Sequence, residues 1–477
     1  MTREKNPKIT EGEKFKRATL TVALVTNFVN PFAATALNIA IPMIGSEFHA
    51  SATTLGWVVS AFMFFMVAFA VPFGRVADTK GRIPVLVFGV IVFAAGAFLA
   101  GFAPSLTVLI AFRILQGIGS AIIYSTNMAI LIEVYPSSER GRVLGISVAA
   151  VYLGSSLGPV IGGEVTHYLG WRYVLFLTGA LAIFALVNIL LRMPIKALKE
   201  IEKAEKIELN ETRPQKIGVS SIVLYACAML LVMYGFTTLG QNIASYIILV
   251  AGAALFIVYV KHEAKTEAPI VEVRLFRNPN FLLSNLAALF NYAATFAVGY
   301  LLSIYLQLVK GYSANISGLI LIAQPVVQMI ISPISGRMSD HRNPFKLASI
   351  GMALCAVALF CLGFIRVDTP VYLIIGILLI LGFGFGFFTS PNSNAIMSSV
   401  EPRDFGVANS IQSTARSFGQ VIGMAMITII TNIIIGHSSL DEASAGTIVR
   451  NTNTAFFVFA AVCALGIVIS LQRKPHK

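Results

Sequence analysis

The sequence predicts an all-α polytopic membrane protein with 14 transmembrane helices, arranged as two six-helix halves with two further helices inserted between them. Three observations carry that expectation. The 477-residue chain is 56% hydrophobic and 12% charged, with a mean hydropathy of +0.80, more apolar surface than a soluble core can bury. Its apolar runs are about twenty residues long and do not alternate with polar residues, which selects helices over a β-barrel in lipid. Two unrelated landmarks then recur at nearly one offset. Gly74-Arg-Val-Ala-Asp-Thr-Lys-Gly-Arg82 returns 262 residues later as Gly336-Arg-Met-Ser-Asp-His-Arg-Asn-Pro344, and the Gly154/Gly158 pair returns 265 residues later as Gly419/Gly423. A shared offset indicates an internal duplication.

In chain order, residues 1–17 read as a basic, polar and mobile cytoplasmic arm. Spans at 18–41, 54–73, 83–103, 105–132, 143–163 and 172–191 make the first half, 18–191. A polar cytoplasmic linker of mixed charge, 192–217, follows. Spans 218–238 and 242–260 form the inserted pair, 218–260. A plain six-plus-six repeat would set the landmarks about 200 residues apart, so the excess separation matches two more spans with their loops. A charged cytoplasmic loop, 261–280, leads into the second half, 281–471, with spans at 281–308, 316–335, 345–365, 371–392, 405–434 and 452–471. A short cytoplasmic tail, 472–477, closes the chain.

The net charge of +13 follows from topology. With the N-terminus inside, only Arg172, Lys310, Arg366 and Arg450 fall in outer segments and only Arg113 and Arg416 within spans, which leaves 29 of the 35 Lys and Arg on the inner side. That asymmetry places both termini in the cytoplasm. It also removes the nucleic-acid reading, because no basic stripe interleaved with aromatics occupies a soluble domain. Trp57 and Trp171 are expected at the outer interface as belt residues. The four cysteines all fall within apolar spans, so no disulfide is expected.

No G-x-x-x-x-G-K-[ST] loop is present, so ATP is not an expected partner, and no H-E-x-x-H points to zinc. Neither a cofactor nor a metal is expected, and no set of mid-membrane acids or histidines offers a catalytic centre. Gly382-Phe-Gly-Phe-Gly386 lies within a span, where close helix packing explains it.

Four stretches carry physical meaning. Gly74–Arg82 is a tight charged hairpin between two spans, in which Asp78 can accept from helix-start N–H groups and pair with Arg82, while Gly81 serves the turn. Asp340 and Arg342, after Gly336, repeat this in weaker form. Arg113, with Gln116 and Gly117, lies about 12 Å into its span, and Arg416 lies deeper still; an arginine at such depth is a functional hypothesis by default. Gly154, Gly158 and Gly162 recur every four residues on one face where a neighbouring backbone can approach, and Pro159 bends that helix next to Gly162-Gly163.

Together these stretches resemble the major facilitator superfamily of secondary transporters. Gly74–Arg82 resembles its motif A, Leu109–Gly119 its motif B, and Gly154–Gly163 its motif C, which marks the antiporter branch; Trp171-Arg172-Tyr173 follows as in drug exporters, and the 14-span layout is similar to the drug:H+ antiporter-2 subfamily of multidrug efflux transporters. The resemblance covers 18–471 and implies proton antiport of hydrophobic or amphiphilic small molecules by alternating access, with a gating role for motif A. One departure stands out. The T-x-x-N-x-A-x-P run is present as Thr35–Pro42, but Ala33 occupies the position where that subfamily usually carries an Asp. Proton coupling then falls to Glu164, beside motif C, or to Glu133 at the inner end of its span. Asn38, Asn291, Tyr292, Phe296, Gln324 and Arg416 are the cavity candidates. The partners expected are the lipid bilayer, protons and a small-molecule substrate. A uniporter, or an exporter of lipids or organic anions without proton exchange, is the alternative that Ala33 keeps open; a polytopic receptor or scaffold is disfavoured because no sizeable soluble domain is present.

Overall fold

The computed structural model describes residues 7–135, 137–192, 218–238, 243–266, 273–400, 405–436 and 443–473. The side chains of some helical residues, Asp78, Glu133 and Asp340 among them, lie outside the described set, as do 1–6, most of the 192–217 linker and the end of the tail.

The first half comprises α1 (Pro7–Phe48), α2 (Ala52–Lys80), α3 (Arg82–Gly101), α4 (Leu106–Val134), α5 (Ser137–Tyr168) and α6 (Trp171–Arg192). The inserted pair is α7 (Val219–Thr237) and α8 (Ile243–Glu263). The second half comprises α9 (Pro279–Thr295), α10 (Val298–Ile304), a π-helical turn (Tyr305–Val309), α11 (Ala314–Leu321), α12 (Ala323–His341), α13 (Pro344–Leu362), α14 (Val371–Met397), α15 (Phe405–Ile434) and α16 (Ala445–Leu471). Thirteen spans are long and apolar enough to cross a bilayer among the described residues, with α9–α10 and α11–α12 each counting as one; α5, of 32 residues, completes the fourteen. Both termini lie on one face, here the terminal face; the other is the distal face.

The halves share one packing plan. In the first, α1 packs on α5 and α6, α3 on α4 and α6, and α2 on α4; in the second, α9 packs on α15 and α16, α13 on α14 and α16, and α12 on α14. Glycines set these approaches, because without a hydrophobic drive between helices in lipid, backbone proximity does the work. A Cβ on Gly117 would lie 2.3 Å from the Phe62 carbonyl oxygen, and one on Gly382 would lie 2.3 Å from that of Gln324. A Cβ on Gly154 would meet the Phe28 oxygen at 2.3 Å, and one on Gly419 the Leu289 oxygen at 2.4 Å. Two copies of one design thus occupy one chain.

The hairpin α7–α8 is held by the same device, since Cβ atoms at Gly235 and Gly252 would fall 2.6 Å from the backbone nitrogens of Leu249 and Val232. Among the described residues, α7 carries the hairpin's main contacts with the rest of the fold. It lies against α2 and α15, one helix from each half, with Tyr234 5.6 Å from Trp57. Ile243, Ile247 and Val250 of α8 remain largely exposed, as a lipid-facing helix requires.

Three details differ from the sequence expectation. Helix α1 starts at Pro7, so helix runs through most of the expected arm; the Glu- and Lys-rich stretch is made of good helix formers continuing a span that supplies the nucleus. Trp171 sits at the distal end of α6 but is only 1% exposed, because its indole N–H donates to Glu47 Oε2 at 2.7 Å. The two spans opening the second half are broken. Pro325 has no N–H to give to Leu321, and the helical run is interrupted at Ile322 between α11 and α12.

Candidate functional site

The halves meet at the distal face and down to mid-depth. Thr53 donates to the Gly436 carbonyl at 3.3 Å. Ser303 donates to the Asn38 carbonyl at 3.0 Å, and Gln307, carried on the π-helical turn, donates to that of Ile39 at 2.9 Å. Motif C forms the adjoining seam. Gly154, Gly158 and Gly162 face α1, while Pro159 and Gly163 face α11: a Cβ on Gly318 would lie 2.1 Å from the Pro159 oxygen, and one on Gly163 would lie 2.6 Å from the Ala314 oxygen. One helix therefore packs its own half with one face and the opposite half with another. Glu164 follows directly, half-buried, with no hydrogen bond or ion pair among the described residues.

An arginine joins the halves at mid-depth. Arg416 of α15 donates to the Tyr124 hydroxyl of α4, across the seam, and stands beside the Tyr292 ring of α9 in its own half. Its guanidinium carbon lies 5.7 Å and 5.9 Å from the two ring centroids. Beside it Tyr152 of α5 lies near Gln328 and Ser332 of α12, in the opposite half. At 1.5 Å per residue, both Tyr124 and Arg416 lie about 15 Å from the terminal-face ends of their helices, near the middle of a bilayer. Arg416, Tyr124 and Tyr152 are half-buried, as groups lining a central cavity are.

Arg113 occupies a different place. It is 0% exposed inside the first half, where Nε donates to the Val58 carbonyl at 3.1 Å, one terminal nitrogen donates to Gln116 Oε1 at 2.5 Å, and the guanidinium stands 4.3 Å over the Phe62 ring. Gln116 passes the network to Thr178 of α6 at 3.5 Å. The second terminal nitrogen of Arg113 is buried with no hydrogen-bond partner. The two mid-span arginines are therefore not one cavity pair: Arg113 ties α2, α4 and α6, and Arg416 faces the seam.

The remaining candidates also separate. Asn291 and Tyr292 are neighbours in sequence but point to different sides of α9. Asn291 is 0% exposed against the thiols of Cys355 and Cys463, whereas Tyr292 faces Arg416. Asn38 is buried at the seam, Gln324 is half-buried at the start of α12, and Phe296 is partly buried in the core. In the motif A hairpin, Gly81 has φ +98° and its N–H caps the Ala77 carbonyl at 2.9 Å, while Arg82 donates to the Ala129 carbonyl at 3.4 Å. Gly74 and Gly336 are alike: a Cβ on either would stand 3.5 Å from a serine Cβ, Ser125 or Ser390. Arg342 caps α12 through its N–H on the Met338 carbonyl at 2.9 Å. The Asp78, Glu133 and Asp340 side chains lie outside the described residues. Ala33 is buried at 2%, in apolar surroundings.

Sequence reasoning did not single out Tyr124, Tyr152, Glu47 or Arg473. Glu47 holds both Trp171 and Arg172, the latter through a 2.6 Å ion pair, and so fixes the distal ends of α1 and α6. Arg473, expected in a loose tail, is 5% exposed and donates to Asn392 Oδ1 at 2.7 Å, Ser284 Oγ at 3.2 Å and the Ser470 carbonyl at 2.9 Å. Burial pulls its pKa down to about 10, so it stays protonated at neutral pH.

The comparisons with known proteins agree with this architecture. The riboflavin transporter RibZ of Clostridioides difficile is 27% identical over 466 residues, 97% of this chain and 99% of its own length. Multidrug resistance protein 3 of Bacillus subtilis is 29% identical over 433 residues, 89% of this chain and 80% of its own. Among solved structures, a bacterial homologue of the human lysosomal transporter Spinster superposes with a TM-score of 0.69 at 15% identity, covering 96% of each chain. Residues 23–424 and 285–477 match the sequence pattern of the Major Facilitator Superfamily, and the chain belongs to that family of transporters.

Proposed function

We propose that this transporter exports hydrophobic or amphiphilic small molecules from the cytoplasm in exchange for protons, with the terminal face cytoplasmic and Glu164 as the proton carrier. The observation that carries the reading is the position of Glu164. It adjoins Gly163 at the seam between α5 and α11, one helix from each half. A coupling group must change its surroundings as access alternates. When the halves part at the distal face, this seam opens and Glu164 meets water; when they close, the seam between α5 and α11 shuts beside it again. Multidrug resistance proteins among the relatives support the cargo class.

The test is proton flux in everted vesicles energised to an acid interior. Lipophilic cations and anions are added in turn, with Glu164→Gln beside the native chain. The reading expects a cargo to dissipate the gradient with the native protein and not with the variant. Cargo movement to which the gradient is indifferent defeats it and favours the second reading, a uniporter or organic-anion exporter without proton exchange. Ala33 in the place of the first-span acid is the observation on the side of that alternative.

A further inference from the structure

We infer that Arg416, beside Tyr292, is the anchor for an anionic group on a planar aromatic cargo, and that the cargo binds by taking the guanidinium from Tyr124. This rests on the transport reading above but not on its proton coupling. Three observations support it.

Arg416 has no carboxylate partner among the described residues. Its hydrogen-bond partner among the described residues is a neutral phenol, Tyr124, with the Tyr292 ring centroid 5.9 Å away. A charge at mid-membrane without a counter-ion is expensive, and neutral hydroxyls compensate it only in part. An arriving anion completes the compensation, and the guanidinium fork fits carboxylate, sulfonate or phosphate oxygens two at a time. A cationic cargo would add repulsion at the same point.

The phenols are suited to the same ligand. Tyr124 accepts from Arg416 through its oxygen, and as a neutral acceptor it is a weaker partner for the guanidinium than an anionic oxygen. The rings of Tyr124, Tyr152 and Tyr292 come from both halves at one depth and offer faces and edges to a flat cargo.

Finally, Arg416–Tyr124 joins the halves across the seam near the middle of the membrane. An anion that takes the guanidinium loosens that tether where the cargo sits. Binding and the rocking of the halves are coupled through one hydrogen bond.

The experiment uses full-length protein in lipid nanodiscs and three probes with one ring system: 2-naphthalenesulfonate, the neutral 2-naphthalenesulfonamide and 2-naphthyltrimethylammonium. Binding is measured by calorimetry. The sulfonate is expected to bind at least ten-fold more tightly than the trimethylammonium. Arg416→Gln is expected to abolish that preference while neutral sulfonamide binding, which also reports a folded protein, persists. Tyr124→Phe removes the competitor without removing the charge and is expected to tighten sulfonate binding a few-fold. Equal or stronger binding of the cation by the native protein overturns the inference, as does an Arg416→Gln variant that keeps the anion preference. Should Arg416→Gln fail to fold, weaker sulfonate binding by Tyr124→Phe overturns the displacement. An intact anion preference in a protein that moves no protons in the vesicle assay defeats the antiport reading alone.

Discussion

Adding a single methyl group at Gly318 is expected to open the distal face. A Cβ there lies 2.1 Å from the Pro159 carbonyl oxygen and 2.8 Å from its carbon, both backbone atoms of α5 that no side-chain rotation can move away. An ordinary carbon–oxygen contact is about 3.3 Å, so the seam between α5 and α11 has to part by roughly 1 Å. Overpacking of this kind costs about 1–3 kcal/mol. Because α5 and α11 belong to opposite halves, the strain exists only while the distal face is closed and is relieved by rocking the halves apart. The equilibrium between closed and open states therefore shifts by about 5- to 150-fold. The assay is labelling of a cysteine at Asn315 with a membrane-impermeant thiol reagent, after the exposed Cys227 and Cys361 have been changed to serine. Labelling should rise by that factor in Gly318→Ala. The control is Gly154→Ala, whose Cβ meets the Phe28 oxygen of α1 at 2.3 Å inside one half. It should lower the melting temperature without raising labelling. A Gly318→Ala protein that is folded and labels no faster than the parent refutes the argument.

Motif A should split by glycine: Gly81→Ala forces a side chain into φ +98° and costs about 1–3 kcal/mol, while Gly74→Ala, with 3.5 Å to its nearest neighbour, leaves the melting temperature nearly unchanged. Arg473→Ala removes the donor shared by Asn392, Ser284 and the Ser470 carbonyl and should lower stability by about 2–3 kcal/mol, read by thermal unfolding in detergent.

The duplication was legible because its landmarks are backbone requirements. Gly154 and Gly419 are 265 residues apart, and a Cβ on either would meet a carbonyl oxygen of the helix beside it, at 2.3 and 2.4 Å. The broken span at Ile322 was legible in principle through Pro325, three residues on. Helix rotation was not legible. In a soluble protein the polar face of a helix marks water, but here lipid and core are equally apolar, so hydrophobic periodicity carries little information about which face looks into the cavity. Arg113 and Arg416 look alike in sequence, one polar residue in an apolar run, yet one is sealed within a half and the other faces the seam. Asn291 and Tyr292 show the same thing over a single step of about 100° around a helix.

The buried arginines divide the labour of the fold. Arg113 and Arg473 are each surrounded by donors' complements from a single half: Val58, Gln116 and, through it, Thr178 for the first; Asn392, Ser284 and Ser470 for the second. They hold helices that move together, so their bonds survive a rocking motion. Arg416 alone among these three spends a hydrogen bond on the opposite half. A rigid-body mechanism needs strong bonds within each body and exchangeable ones between them. A neutral phenol is an exchangeable partner, whereas a carboxylate from the other half would hold the two together. The absence of an acid opposite Arg416 among the described residues is then a condition for movement, and it is also what leaves the guanidinium available to a negatively charged cargo.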